Sequence, residues 1–252
     1  MEIFFEYDGF RLKNYQKIKS NQVSITPLND LVIYAFPEVS YFNYAFKMNN
    51  HPIEIEEIKK AQKAYQSQNI LNFKIITPHK INIDQKDIAH KNILTKLSLS
   101  KLEHPNFIQK ASFEKVNGDN LLEFTETYLS GFEAENRCVK TVSNNFSKLL
   151  NHSNFYPYLI KNKDITKGVV VLYSSNGHQL LAGGAILPQY RKQNYHKQGV
   201  QFRLNKCFND PNTLSIASWA YKNSVSMNNM VKCGLVPSQD FYIYEFSTKD
   251  TL

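Results

Sequence analysis

A chain of 252 residues, 42% hydrophobic and 21% charged, has enough apolar material for one or two packed domains, which excludes a disordered or fibrous protein. The net charge of +8 suits an anionic ligand without naming it, and Cys138, Cys207 and Cys233 are too few and too scattered for a disulfide framework or a metal knot. The start, MEIFFEYDGFRLK, lacks a basic segment followed by an apolar run, and no apolar stretch approaches the roughly 18 residues of a membrane span, so a cytoplasmic chain with no membrane partner is expected.

In chain order, the pattern predicts a helix over 9–19, strands at Gln22–Ile25 and Leu28–Phe36, and a loop through SYFNYAF. A helix opens near Pro52 over IEIEEIKKAQKAYQ, with Glu54, Glu56 and Glu57 at its positive end. ILNFKIITP reads as a buried strand closed by Pro78, and Lys86–Leu97 as a further helix. The polar stretch Ser100–Phe107 reads as a linker that divides the chain into an N-terminal α/β part, 1–105, and a second part, 109–252. There ASFEKV is a strand, and LLEFTETYLSGF puts Leu121, Phe124 and Tyr128 on one helical face, with Asp119 or Asn120 as cap and Gly131 as stop. A second helix covers Val139–Leu150. YPYLIKN, GVVVLYSS and HQLLAGGAIL are strands separated by the turn pairs Lys163-Asp164 and Asn176-Gly177. A basic helix, Lys197–Phe208, the strand TLSIASWAY, a helix over Val225–Cys233 and the strand DFYIYEF complete an α/β (α+β) chain.

The informative junction is AGGAILPQYRKQNYHKQGVQFRL. A strand runs into a turn, and the turn feeds a basic helix. The first amides of a helix have no internal partner and carry partial positive charge, so a phosphate docks well there. No Asp or Glu lies between Asp164 and Asp210, whereas Lys167, Arg191, Lys192, Lys197, Arg203 and Lys206 do. Physics alone gives a candidate anion site or an ordinary turn with solvated cations. No Gly-rich ATP loop, hydrolase elbow or metal spacing accompanies it.

LPQYRKQNYHKQ resembles the acyl-CoA-binding signature of the GNAT superfamily of N-acyltransferases, Pro-x-(Tyr/Phe)-(Arg/Gln)-x-x-Gly-x-(Gly/Ala), through Pro188, Tyr190 and Arg191. Downstream, NSVSMNNMVKCGL resembles the family's Asn-x-x-(Ala/Ser) followed by Gly and an apolar residue, filled by Asn223, Ser226, Gly234 and Leu235. The order of elements over 109–247 is similar to the family's, and the N-terminal part resembles the half-domain of two-part members. The resemblance implies a mixed, mostly antiparallel sheet flanked by helices, preceded by a smaller α/β half-domain. It implies an acetyl-CoA-dependent N-acetyltransferase, without metal, acting on a small-molecule or peptide amine.

By position, the pantetheine arm would lie as an added strand along Gly184, Ala185 and Ile186. Arg191 and the turn from Lys192 through Gln193, Asn194, Tyr195 and His196 to Lys197 would hold the diphosphate, and Asn223 the arm. Asn194 and His196 stand where the family has small residues; Asn tolerates a left-handed turn, whereas His196 either crowds the diphosphate or binds it. Met230 replaces a frequent Tyr general acid. For proton transfer, Glu133, Glu135, His178 and Tyr244 are candidates, against a bland reading of each as a surface or core residue, and the Ile186 amide could meet the carbonyl oxygen. A non-catalytic CoA- or ligand-binding relative is the alternative. A nucleic-acid binder stacking bases on Tyr190 and Tyr195 is weaker, since no nucleic-acid signature accompanies those rings.

Overall fold

The computed structural model describes residues 2–49, 51–82, 90–99, 110–134 and 136–249. In chain order the elements are α1 (Ile3–Tyr15), β1 (Ser24–Leu28), β2 (Leu31–Ala35), β3 (Tyr44–Lys47), α2 (Ile55–Gln66), β4 (Asn72–Thr77), β5 (His90–Leu99) and β6 (Ser112–Lys115), then α3 (Leu121–Gly131), α4 (Val139–Leu150), β7 (Phe155–Asn162), β8 (Ile165–Ser175), β9 (His178–Ile186), α5 (Tyr195–Phe208), β10 (Ser215–Tyr221), α6 (Val225–Val231) and β11 (Val236–Ser247). They form two compact units, Met1–Lys96 with Gln239–Leu252, and Leu97–Ser238.

In the first unit, strands run in the order β1-β2-β3-β4-β11, parallel only at β3/β4. Several local expectations change here. The first helix begins at Ile3, not residue 9, because Phe4, Phe5, Leu12 and Tyr15 are buried along it. Its Asp8 accepts from Tyr44 Oη at 2.8 Å and pairs with Arg11, which closes a buried polar knot. Leu28–Phe36 is two strands rather than one: Asn29, at φ 54, supplies the left-handed turn that folds β1 onto β2. SYFNYAF is not all loop, since β3 begins at Tyr44. Pro52 precedes α2, which a reciprocal Glu54–Glu57 capping box starts. The stretch read as helix 86–97 is a strand from His90 onward, and its earlier residues lie outside the described ones. Thr95 shows what overrode the helical pattern: its hydroxyl donates to Asp240 at 2.7 Å, a tertiary bond that local propensity cannot foresee. The linker read at 100–107 lies outside the described residues. Residues 242–247, read as the end of the second part, pair here with β4, Tyr242 opposite Thr77.

In the second unit, β6, β7, β8 and β9 are antiparallel neighbours, and β10 joins β9 in parallel. Adjacent residues of a strand face opposite sides. A Cβ on Gly183 would point at Tyr128 of α3 and Phe132 just after it, and one on Gly184 at Arg203 of α5, so α3 and α5 cover opposite faces of β9. Beneath α5, Leu172, Leu181, Val200, Leu204, Ile216 and Met230 share one core. Each such fully buried aliphatic side chain stabilises the fold by about 1.5–3 kcal/mol.

Candidate functional site

The junction read from the sequence is built from β9, the turn after it and the first residues of α5. Three features set its geometry.

The first is a parting of strands. β9 pairs with β10 only over His178–Leu180 against Ser215–Ala217. Ser218 Oγ then donates to the Leu181 carbonyl at 2.8 Å. From Ala182 to Ile186, β9 has no register partner on that side among the described residues. A strand edge left open in this way can receive an extended ligand backbone. On its other side, β9 stays paired with β8 but slips register between Val170↔Gly184 and Leu172↔Leu181, so Ala182 and Gly183 form a bulge.

The second feature is the turn. Lys192 and Asn194 both have left-handed backbones, φ 63 and φ 65. Asn194 is followed directly by right-handed helix, and that succession turns consecutive amides into one concavity suited to an anion. The amides of Asn194, Tyr195, His196 and Lys197 meet no protein acceptor among the described residues. The positive end of α5 is thus unspent, as the anion reading requires.

The third feature is the bracing of this turn. Arg191 does not stand free as a phosphate ligand. Its Nε donates to the Ile186 carbonyl at 3.3 Å, one Nη to the Gly131 carbonyl at 3.1 Å and the other to Glu133 at 2.5 Å. It ties the end of β9 to the end of α3. No carboxylate lies near the turn in sequence, but Glu133, from the loop after α3, pairs with Arg191. Tyr195 is buried and its hydroxyl accepts from the Asn162 amide at 2.9 Å, while the Lys167 ammonium lies 3.7 Å from the centre of the Tyr190 ring. The burial of Tyr195 takes that ring away from base stacking, and Lys167 occupies one face of Tyr190.

His196 turns away from the anion concavity. Its ring contacts Ser226 through Nε2 and the Asn229 amide through Nδ1, each at 3.3 Å, so it knits α5 to α6 rather than crowding the turn. Burial, assisted by the positive charge of Arg203, pushes its pKa down to about 4, and the ring is neutral near pH 7. Ser226, matched to the family motif, is therefore one of its partners.

The proton-transfer candidates do not converge. Glu133 is held by Arg191, at a positive φ of 55. Glu135 lies outside the described residues. His178 opens β9, about 20 Å along the strand from Gly184, and bonds Ser215 at 2.8 Å. Tyr244 belongs to the first unit, where it is buried and its hydroxyl accepts from the Ile81 amide at 3.1 Å. Met230 is core. Asn223, exposed at φ 63, sits just before the Ser224 cap of α6 with its side chain at the surface.

One residue escaped the sequence reading. Arg203 is wholly buried, with Nε donating to the Gly199 carbonyl at 3.0 Å and one Nη to the carbonyls of Val171 and Ala182 at 3.1 and 3.3 Å. It appeared as one more cation of a basic helix. The available signal was its phase, midway between Val200 and Cys207 on the apolar face of α5.

No protein-family model matches the chain, and no curated protein matches it. Solved structures do. A functionally unknown conserved protein from Staphylococcus epidermidis ATCC 12228 superposes with a TM-score of 0.65 at 12% identity, over 92% of this chain and 96% of that one. A GCN5-related N-acetyltransferase from Kribbella flavida gives 0.63 at 11% identity, over 98% and 95%. A tandem GNAT protein from the clavulanic acid biosynthesis pathway gives 0.57 at 10% identity, over 98% and 96%.

Proposed function

Because the chain has the fold of the GNAT N-acetyltransferases, we propose that its second unit binds an acyl-CoA, acetyl-CoA foremost, and passes the acyl group directly to an amine. The observation that carries this reading is the continuity of two open features. β9 leaves its partner after Leu180, and the same strand then runs into a left-handed turn whose helix amides are unspent. A molecule with a diphosphate at one end and an extended amide arm at the other has a complementary shape. The amides of Lys192 to Lys197 would take the diphosphate, with Arg191 bracing the turn from behind. Gly184, Ala185 and Ile186 would hold the arm edge-on, and Asn223 would border it. The residues fit CoA in kind: donors at the helix start, an unpaired strand edge, and glycines where a ligand backbone would approach.

The reaction follows from the thioester. The lone pair of a neutral amine forms a C–N bond at the carbonyl carbon, and the C–S bond breaks with its electron pair on sulfur. The surplus proton passes from nitrogen to the departing thiolate, directly or through water. Backbone amides at the open edge of β9 are suited to the oxygen that becomes negative on the way. The acceptor is a small-molecule or peptide amine, and the reaction belongs to the cytoplasm. No helix among the described residues is long and apolar enough to cross a membrane, and none of their His, Cys, Asp and Glu groups could hold a metal.

Titration calorimetry with acetyl-CoA, joined to a thiol-release assay over a panel of amines, tests the reading. Saturable binding below about 1 mM with amine-dependent thiol release supports it. Saturable binding without release under any amine would leave a CoA-binding protein that does not catalyse, a reading to which the core position of Met230 lends weight. Absence of binding to both acetyl-CoA and CoA overturns the whole proposal.

A further inference from the structure

The second unit keeps a full positive charge under the floor of the open strand edge. Arg203 has no carboxylate within ion-pair distance among the described residues, and its three hydrogen-bonded oxygens are all backbone carbonyls. Its remaining nitrogen, Nη2, is buried without an acceptor among those residues. A buried donor left unused is costly, so the position calls for an acceptor.

Its place in the fold says which acceptor. Ala182, in the β9 bulge, and Val171, opposite it on β8, supply the carbonyls that hold Nη1. The Ser218–Leu181 bond, the last tie between β9 and β10, lies one residue before that bulge. A Cβ at Gly184 would stand 3.3 Å from Nη2. The unused nitrogen therefore lies under Gly184, on the α5 face of β9, where that strand's edge toward β10 is open from Ala182 to Ile186. An arm entering from α5 and lying along β9 brings its far end there. In a pantetheine thioester, the strong hydrogen-bond acceptors at that end are carbonyl oxygens. Burial draws the Arg203 pKa down to about 10, which still leaves a cation at neutral pH, and a charged donor binds a carbonyl more strongly than a neutral one.

Resting on the acyl-CoA reading above, we infer that Arg203 binds a carbonyl oxygen at the reactive end of the pantetheine-thioester arm through Nη2, while Nη1 fixes the bulge on which that end lies. If the oxygen is the thioester's, the same contact polarises the carbonyl for attack and stabilises the developing oxyanion.

The test compares three probes by calorimetry: acetyl-CoA, S-ethyl-CoA, which has no thioester carbonyl, and 3′-phospho-ADP, which has no arm. In Arg203→Met, acetyl-CoA binds about tenfold more weakly or worse while 3′-phospho-ADP keeps its affinity, and Arg203→Lys recovers part of the loss. A smaller loss for S-ethyl-CoA than for acetyl-CoA assigns the thioester oxygen; equal losses assign an amide oxygen of the arm. If acetyl-CoA binding is unchanged, or falls only as far as that of 3′-phospho-ADP, Arg203 is a pin of the bulge and the inference is wrong. If wild-type protein binds none of the probes, the acyl-CoA reading itself has failed. Should both variants misfold, the wild type decides: side-chain nitrogen resonances of Arg203 must move on addition of acetyl-CoA and stay still with 3′-phospho-ADP, and unmoved resonances overturn the inference.

Discussion

Asn194 carries the turn to which we assign the diphosphate in the proposed acyl-CoA site. Its φ of 65 is a region that Asn and Gly occupy readily and a β-branched residue does not. Asn194→Gly is therefore expected to bind acetyl-CoA within about threefold of wild type, since glycine loses nothing in a left-handed turn. Asn194→Val has to strain by about 1–2 kcal/mol or remake the turn, and is expected to weaken acetyl-CoA binding about tenfold or more in the same titration. Equal affinities in the two variants would show that the turn does not hold the ligand. Gly131 is set by contact rather than by φ. A methyl there would lie 2.8 Å from the Ala185 Cβ, against the strand that forms the open edge. Gly131→Ala is expected to cost about 1–3 kcal/mol, read as a lower urea midpoint at unchanged slope. The Arg191–Glu133 pair, with side chains 43% and 64% exposed, adds little as a charge pair; the bonds of Arg191 to the backbone of Gly131 and Ile186 matter more. The left-handed tolerance of Asn194 was legible in the sequence because it is local. The partners of Arg191 were not, because Glu133 lies in a different loop.

At the scale of elements, His196 makes the α5–α6 contact pH-sensitive. Its folded-state pKa, about 4, lies below the ordinary 6.5 because burial and then Arg203 disfavour the imidazolium. Between those values the unfolded chain takes up a proton that the folded ring refuses. The stability that neutral His196 contributes is thus complete above about pH 6.5, declines as the pH falls, and is exhausted below about pH 4. The wild-type thermal midpoint is expected to drop across that window more than that of His196→Gln. The difference between the two chains isolates His196 from carboxylates such as Glu114, whose pKa lies below 4.5 because of bonds from Lys161 and Asn120. Parallel curves would place the ring's titration elsewhere. Elements with their own periodicity, α3, α4 and α6, and the strands β7 to β9 emerged from sequence within a few residues of their structural bounds. β5 did not: HKNILTKLSL alternates too weakly to be told from a helix, and its strand form depends on partners remote in the chain, such as Asp240 for Thr95. The bulge in β9 was invisible for a related reason, being a property of the β8–β9 pairing and not of Ala182 or Gly183 alone.

On the scale of the whole molecule, chain order and spatial order part company at the C-terminus. The resemblance to a two-part acyltransferase supplied the right fold from two short motifs and the order of elements, yet reading along the chain assigned the last strand by its neighbours in sequence. Physically, β11 goes where its apolar face is covered. Phe246 stacks on Phe73 at 5.5 Å, Phe241 meets Phe4 edge-on at 5.3 Å, and Tyr244 sits in the core formed by Leu31, Ile58, Tyr65 and Ile75. Thr248 closes the strand by bonding the carbonyl of Ile70 at 2.9 Å. Three aromatic side chains buried at about 1.5–3 kcal/mol each amount to a large part of the roughly 5–15 kcal/mol that holds an ordinary domain together. Truncation after Ser238 removes all of them and bares one edge of β4. Hydrogen exchange on the truncated chain is expected to show α1 and α2 losing protection to near the unfolded rate, while α5 and β8, which belong to the other unit, keep most of theirs. Retained protection in α1 and α2 would mean that β11 closes the first unit without holding it together, and uniform loss would mean that the two units unfold as one.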